Sequence, residues 1–278
     1  MRVLWLQDWL RPHGGAELSS ATCVRLGERL GFDIVGVSRD SFDARLLLEA
    51  DVLVINNFHS FTQEQMRAVS WACLECGMPY IVYSHDLRDL GRPEFAGPLM
   101  HRAALNVFIS PAHRRHYETG LGVTGIALPL AIDVDLYRPV SGAARRKNSV
   151  LIADPRKQGA DCGSWMRENP GLQYTALGHL RLSPQEMHIT ERPAVAPWDM
   201  PSVYTEHEYL LHRPARQTAG ERVLFEAALC GCRVVANDLC GHMSWGWDLS
   251  DVDRLRDRLE QAPYDFWCEL ERVGRRMS

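Results

Sequence analysis

Two adjacent glycines, Gly14 and Gly15, stand between a first apolar run, "RVLWL", and a helix-like run, "GAELSSATCVRLGERLG". Glycine lets a ligand approach the backbone closely. A helix N-terminus adds unpaired N–H groups and the positive end of the helix dipole. The pair therefore reads either as a tight strand-to-helix turn or as a cradle for a phosphate or a sugar. It lacks the spaced G-x-G-x-x-G of dinucleotide folds and the Gly-Lys-Ser/Thr of a P-loop, which argues against a nicotinamide or flavin cofactor and against a P-loop nucleotidase. His85 and Asp86 end one apolar run ("PYIVYSHD"), and His59 follows another ("NNFHSF"); a histidine so placed is either chemical or structural. Glu226 sits among Leu224, Phe225, Ala227 and Ala228, which puts its face near a cleft or an interface. Arg156 and Lys157, in "ADPRKQGA", read as anion partners or as surface charge. "DVD" occurs at Asp133 to Asp135 and at Asp251 to Asp253, in an interdomain run and at the start of a late helix, so neither reads as a metal site. Cys73-x-x-Cys76 and Cys230-x-Cys232 lie in or beside helix-like segments and read as buried thiols rather than zinc ligands.

These residues need a scaffold, and the chain supplies one in its alternation. Over the first half, short apolar runs alternate with amphipathic ones: "RVLWL", "DIVGVS", "DVLVINN", "PYIVYSHD", "LNVFIS" and "VTGIALPL" as strands, with helices between, including a short one over "SFDARLLLEA". Strands apolar throughout, separated by helices, predict a parallel sheet covered on both faces. A polar, basic stretch, "VSGAARRKN", reads as a linker, and the alternation then restarts with "SVLIAD", "LQYTALG", "EYLLHRP" and "CRVVAN". Leu180 to Pro197 carries no assignable pattern, and two helices, "SDVDRLRDRLEQ" and "YDFWCELERVGRRMS", follow at the end. The expected fold is α/β, two doubly wound Rossmann-like domains over 1–140 and 148–250, with closing helices over 251–278 that could pack back on the N-terminal domain. Ligands bind at the carboxyl ends of such sheets, so a cleft between the two halves is the expected site.

Composition narrows the partners. The chain has 278 residues, eight cysteines and a formal net charge of −4, which argues against a broad electrostatic hold on nucleic acid or an anionic membrane. No apolar run approaches a membrane span, and the first apolar run is too short for a signal peptide, so a cytoplasmic chain with free thiols is expected.

Taken in order, the pieces resemble the family 4-like glycosyltransferases, nucleotide-sugar enzymes of the two-domain GT-B fold. "HGGAE" is similar to that family's opening, "YSHD" to the strand end that carries its active-site histidine, and "SPAHRRHYE" to its serine-plus-helix segment. "LPLAIDVDLYRP" resembles the run that ends the N-terminal domain, "ADPRKQGA" the opening of the C-terminal one, and "GERVLFEAALCGCRVVAND" the donor-site block. The resemblance spans most of residues 1–240. It implies that Gly14 and Gly15 contact the donor diphosphate or the sugar, that Arg156 and Lys157 stabilise the leaving nucleotide, and that Glu226 accepts from the ribose hydroxyls. It places His85 near sugar and acceptor, Glu221 and Arg222 beside the donor, and Glu17, His59 and Asp86 on the acceptor side. It also implies transfer to a hydroxyl with retention, no metal and no cofactor beyond the nucleotide diphosphate sugar.

The chain departs from the family pattern where Thr218 stands in place of the first of two glutamates; Glu221 is nearby. The C-terminal half is shorter than in full-length relatives. The acceptor stays open between a glycan, a lipid, a small metabolite and a hydroxymethylated base in DNA. For DNA, Arg114–Arg115, Arg145–Lys147 and Arg275–Arg276 would follow a backbone, and tryptophans would stack on a flipped base. Two other classes remain open: a nucleotide-sugar binding protein or partner subunit with a decayed donor site, and an epimerase on the same fold.

Overall fold

The computed structural model of the chain describes residues 1–10, 14–57, 61–88, 93–180 and 188–275, with backbone alone at Pro93 and Phe95. The chain divides into two units, Met1–Ile132 with Gln261–Ser278, and Asp133–Glu260.

The first unit is built on six parallel strands in the order β2-β1-β3-β4-β5-β6. They are β1 (Arg2–Leu6), β2 (Asp33–Val37), β3 (Val52–Ile55), β4 (Tyr80–Ser84), β5 (Leu105–Phe108) and β6 (Ile126–Ala127). Every residue of "VLVI" in β3 and "YIVYS" in β4 is buried, as both-face coverage requires. Around them run α1 (Gly15–Arg29), α2 (Gln63–Leu74), α3 (Pro93–Arg102) and α4 (Pro111–Leu121). Local chemistry sets their starts. Thr62 and Gln65 form a capping box on α2, each side chain bonded to the other's backbone N–H at 3.2 and 2.9 Å. Ser110 caps α4 ahead of Pro111, and Gly122 closes it with a left-handed φ of 67°.

Two expectations in this unit need correction. "SFDARLLLEA" is no α-helix: it holds one 3-10 turn, Ala44–Leu48, and begins at the last residue of another, Arg39–Ser41. The Asp43 carboxylate accepts from Arg45 N at 3.0 Å, and the segment is too short to repay α-helix nucleation. "VTGIALPL" pairs over two residues only, because the Asn106 side chain takes the Thr124 carbonyl at 3.0 Å and Pro129 has no N–H to give.

The second unit carries five parallel strands in the order β11-β10-β7-β8-β9. These are β7 (Arg146–Ile152), β8 (Gln173–Leu177), β9 (Ile189–Arg192), β10 (His207–His212) and β11 (Arg233–Ala236), with α5 (Ala160–Glu168), α6 (Met200–Glu206) and α7 (Arg222–Leu229). The unassigned stretch contains β9, an edge strand without an apolar run, and is followed by α6. The linker is also shorter than its composition indicated, since β7 begins at Arg146. Arg145 is no free linker charge. Its guanidinium donates to the Gly231 and Cys230 carbonyls at 2.5 and 2.7 Å, satisfying the C-terminal end of α7.

The two expected closing helices are one, α8 (Val252–Arg275), with Pro263 inside it. Proline removes one backbone bond. The apolar stripe Leu255, Leu259, Ala262, Phe266, Leu270, Val273 keeps helical spacing across it and is buried throughout. The helix begins in the second unit, where Arg256 donates to the Val134 carbonyl at 2.6 Å, and its last turns belong to the first. There Trp267 donates to the Cys23 carbonyl at 2.8 Å and stacks on Phe32 at 4.6 Å. Its ring crowds Gly27, where a Cβ would sit 2.1 Å from Cζ2.

That contact reverses the usual effect of removing a helical glycine. Gly→Ala within an exposed helix gains up to about 1 kcal/mol. Gly27→Ala is expected instead to cost roughly 1–3 kcal/mol by overpacking, read as a lower denaturation midpoint.

Candidate functional site

In each sheet the strand order reverses once, between β1 and β3 in the first and between β7 and β10 in the second. Neighbouring connections leave such a point in opposite directions, which opens the carboxyl ends to a ligand.

At the β7–β10 point the chain turns from Ile152 through Asp154, Arg156, Lys157 and Gln158 into α5. Gln158 is buried and fixes this turn. Its amide nitrogen bonds the Asp154 carbonyl at 2.8 Å and His212 Nδ1 at 3.1 Å, and its oxygen accepts from Arg213 N at 2.7 Å. Lys157 then extends to Glu221, Nζ to Oε2 at 3.0 Å, and to Asp154 Oδ2 at 3.4 Å. Burial opposes the charge on Lys157, yet Glu221 and Asp154 outweigh it and hold the ammonium above its ordinary range. Burial raises the Glu221 carboxyl, with Lys157 opposing the rise. Half of Lys157 remains open to solvent, while Glu221 is buried. Arg156 lies 85 % exposed at 4.0 Å from Asp154, so the structure brings Lys157 and Glu221 together and leaves Arg156 in solvent.

Glu221 stands directly before α7. Its N–H donates to His242 Nδ1 at 3.1 Å, and the His242 ring stacks on Phe225 at 4.3 Å. Gly220 passes so close that a Cβ would fall 2.3 Å from His242 Nε2. Thr218 serves the same loop: its hydroxyl bonds the Leu239 carbonyl and the Gly241 N–H, both at 3.3 Å. One turn into α7, Glu226 is buried with Arg222. Oε1 accepts from Arg222 Nε at 2.8 Å and Oε2 from the Tyr204 hydroxyl at 3.1 Å.

At the β1–β3 point Gly14 caps α1 in extended conformation without a side-chain cap. Glu17 folds back toward it, its Oε2 3.0 Å from where a Gly14 Cβ would stand. Asn56, at the end of β3, donates to Ser20 Oγ at 2.5 Å, and the buried Gln7 Oε1 has no partner among the described residues. His59 lies outside the described residues. His85 is buried after β4, its ring 4.4 Å from Tyr83, which in turn stacks on Phe266 at 5.0 Å. Asp86 pairs outward with Arg88 at 3.4 Å.

Several polar residues went unread in the sequence. Gln158, His212 and His242 carry no motif. Tyr204 lies in α6, which no pattern marked.

Each basic cluster has one arginine in an ion pair, while Arg115 and Lys147 are exposed. Arg114 pairs with Glu118 at 3.2 Å, Arg146 with Glu206 at 2.9 Å and Arg275 with Glu271 at 2.6 Å. Arg276 lies outside the described residues. Among the described residues no group of three or more His, Cys, Asp or Glu could hold a metal ion, and no helix is long and apolar enough to cross a membrane.

Two doubly wound parallel sheets make this an α/β fold of the GT-B type. Among solved structures, the chain is similar to HepE of Anabaena in complex with UDP and glucose, with a TM-score of 0.64, 16% identity, and coverage of 100% of this chain and 98% of that one. It is also similar to an alpha-glucosyltransferase in complex with UDP and a 13-mer DNA containing an HMU base, with a TM-score of 0.62, 11% identity, and coverage of 99% and 93%. At these identities the likeness is one of fold. No protein-family model and no curated protein matches the chain.

Arg222→Ala leaves the Glu226 carboxylate buried without its cation and is expected to cost about 3–5 kcal/mol. Replacing the pair together, Arg222→Met with Glu226→Leu, recovers most of that in chemical denaturation. The buried histidines set a pH dependence. Burial pushes His113 and His212 down to about 4. Unfolded, each binds a proton below about 6.5. Between those values the unfolded chain holds more protons, so stability falls as pH drops from about 6.5 toward 4, by up to roughly 3 kcal/mol per histidine. Denaturation midpoints across that window check the slope.

Proposed function

We propose that the protein is a glycosyltransferase that takes a sugar from a nucleotide diphosphate sugar, a UDP-sugar by likeness to its structural neighbours, and passes it to an acceptor hydroxyl with retention. The observation that carries the reading is Lys157, a half-exposed ammonium held at the β7–β10 reversal point by Asp154 and Glu221. In glycosyl transfer, negative charge develops on the departing diphosphate, and a cation aimed there lowers the barrier. Lys157 supplies that charge, Arg156 adds a second cation from solvent, and no metal is called for. Glu226 is the acceptor for ribose hydroxyls. A carboxylate offers about four lone-pair sites. Arg222 and Tyr204 occupy one on each oxygen and fix the group's orientation. Gly14, Gly15 and His85, with Glu17 and Asp86, form the sugar and acceptor side.

The acceptor we favour is a glycan, a lipid or a small metabolite. The formal net charge of −4 weighs against a broad hold on a DNA backbone, and Arg145 is taken up by the Gly231 and Cys230 carbonyls. Hydroxymethylated DNA is the second reading, favoured by the likeness to the alpha-glucosyltransferase solved with DNA. Duplex binding that weakens steeply with salt would support it.

Calorimetry and turnover with a panel of nucleotide sugars test the proposal. Lys157→Ala is expected to lower turnover by about a hundredfold or more while weakening donor binding far less. Binding without turnover toward any acceptor would leave a nucleotide-sugar binding protein instead.

A further inference from the structure

The strand end that carries His85 is held by a device that its own role does not explain. The carbonyl oxygen of Asp86, the next residue, accepts from His113 Nε2 at 2.9 Å and from the Tyr117 hydroxyl at 3.0 Å, with Ser84 Oγ at 3.3 Å. A carbonyl has two lone pairs, so the two short bonds saturate it. His113 and Tyr117 lie one turn apart on α4, and both are fully buried.

The imidazole has only one usable tautomer here. Ile109 N–H donates to Nδ1 at 3.2 Å, so Nδ1 is the acceptor and the proton resides on Nε2, aimed at Asp86. The ring thereby ties the end of β5 to the end of β4. Its own backbone is pinned in turn, because His113 N donates to the capping Ser110 Oγ at 3.0 Å. Tyr83 meets the His85 ring at 4.4 Å and is itself stacked on Phe266. Such a grip exceeds what a surface turn needs. It fixes the peptide that follows His85, while the Tyr83 ring packs on the side chain.

We propose that His113 and Tyr117 are positioning residues that hold His85 in its working place through the Asp86 carbonyl. The proposal rests on the reading of His85 as a group of the sugar and acceptor side. Neither residue is proposed to touch substrate.

The two amide replacements of His113 separate donor from acceptor. In His113→Asn the side-chain oxygen stands near Nδ1 and keeps the Ile109 bond but offers nothing to Asp86. In His113→Gln the amide nitrogen reaches the Nε2 position and keeps the Asp86 bond. Tyr117→Phe removes one hydroxyl and no packing. The measurements are kcat, KM, nucleotide affinity, and the NMR position and titration of the His85 imidazole. Expected are a loss of roughly tenfold or more in kcat for His113→Asn and Tyr117→Phe, nucleotide affinity within about twofold, a displaced His85 resonance, and substantial recovery in His113→Gln. Equal losses in Asn and Gln variants, or losses that follow melting temperature while the His85 resonance stays in place, would overturn the proposal. Should the His113 variants fail to fold, Tyr117→Phe alone decides it. His85→Ala with full turnover would remove the role given to His85, whereas the resonance comparison would still show whether His113 holds it.

Discussion

Parallel pairing is the constraint on which everything else in this protein depends. Every strand pairing in both sheets is parallel, and the central strands are buried on both faces. Such a sheet has no solvated face on which a polar group could work, so polar chemistry is confined to the strand ends. Several buried polar residues lie at such ends: Gln7 and Asn56 beyond β1 and β3, Ser84 and His85 at β4, Gln158 and His212 between β7 and β10. Burying a polar group costs free energy unless it is bonded, and Ser84 and Gln158 meet that cost by bonding the backbone of a neighbouring loop. The same bonds that satisfy them therefore shape the loops.

The second unit contains two carboxylate–cation pairs of different character. Arg222 and Glu226 are both buried and one turn apart, a pair whose net stabilisation is small but whose disruption is costly. Lys157 and Glu221 meet across 64 residues of sequence, with the lysine half-exposed. An exposed ammonium can exchange one anionic partner for another at little cost, and a buried guanidinium cannot. The first pair is suited to fixing an orientation and the second to exchanging one anionic partner for another.

Much of the architecture was legible because both-face burial writes itself as continuous apolar runs, from "VLVI" to "YLLH". What escaped notice lacked that signature. β9 is a four-residue edge strand with no buried residue, and α6 is a seven-residue helix. The break read at Pro263 was overridden by an apolar stripe that stays in register across it. For the site, charge and apolar context singled out Lys157 and Glu226 as candidates, and Glu221 entered only through the family resemblance. Gln158, His242 and Tyr204 act through backbone atoms and neighbours distant in sequence, which no local spacing encodes.

The seat of Trp267 on Gly27 also bears on how the molecule is assembled. The tryptophan and the Cys23 carbonyl it bonds are 244 residues apart, and the whole second unit is strung between them. During synthesis the first sheet is translated long before the helix that completes its core. Until then the face around Gly27 and Phe32 lacks its cover. The second unit needs no such late arrival beyond the first turns of α8. The unit translated first is therefore the one finished last, and a nascent chain exposes its apolar surface on the N-terminal side until the end of α8 docks.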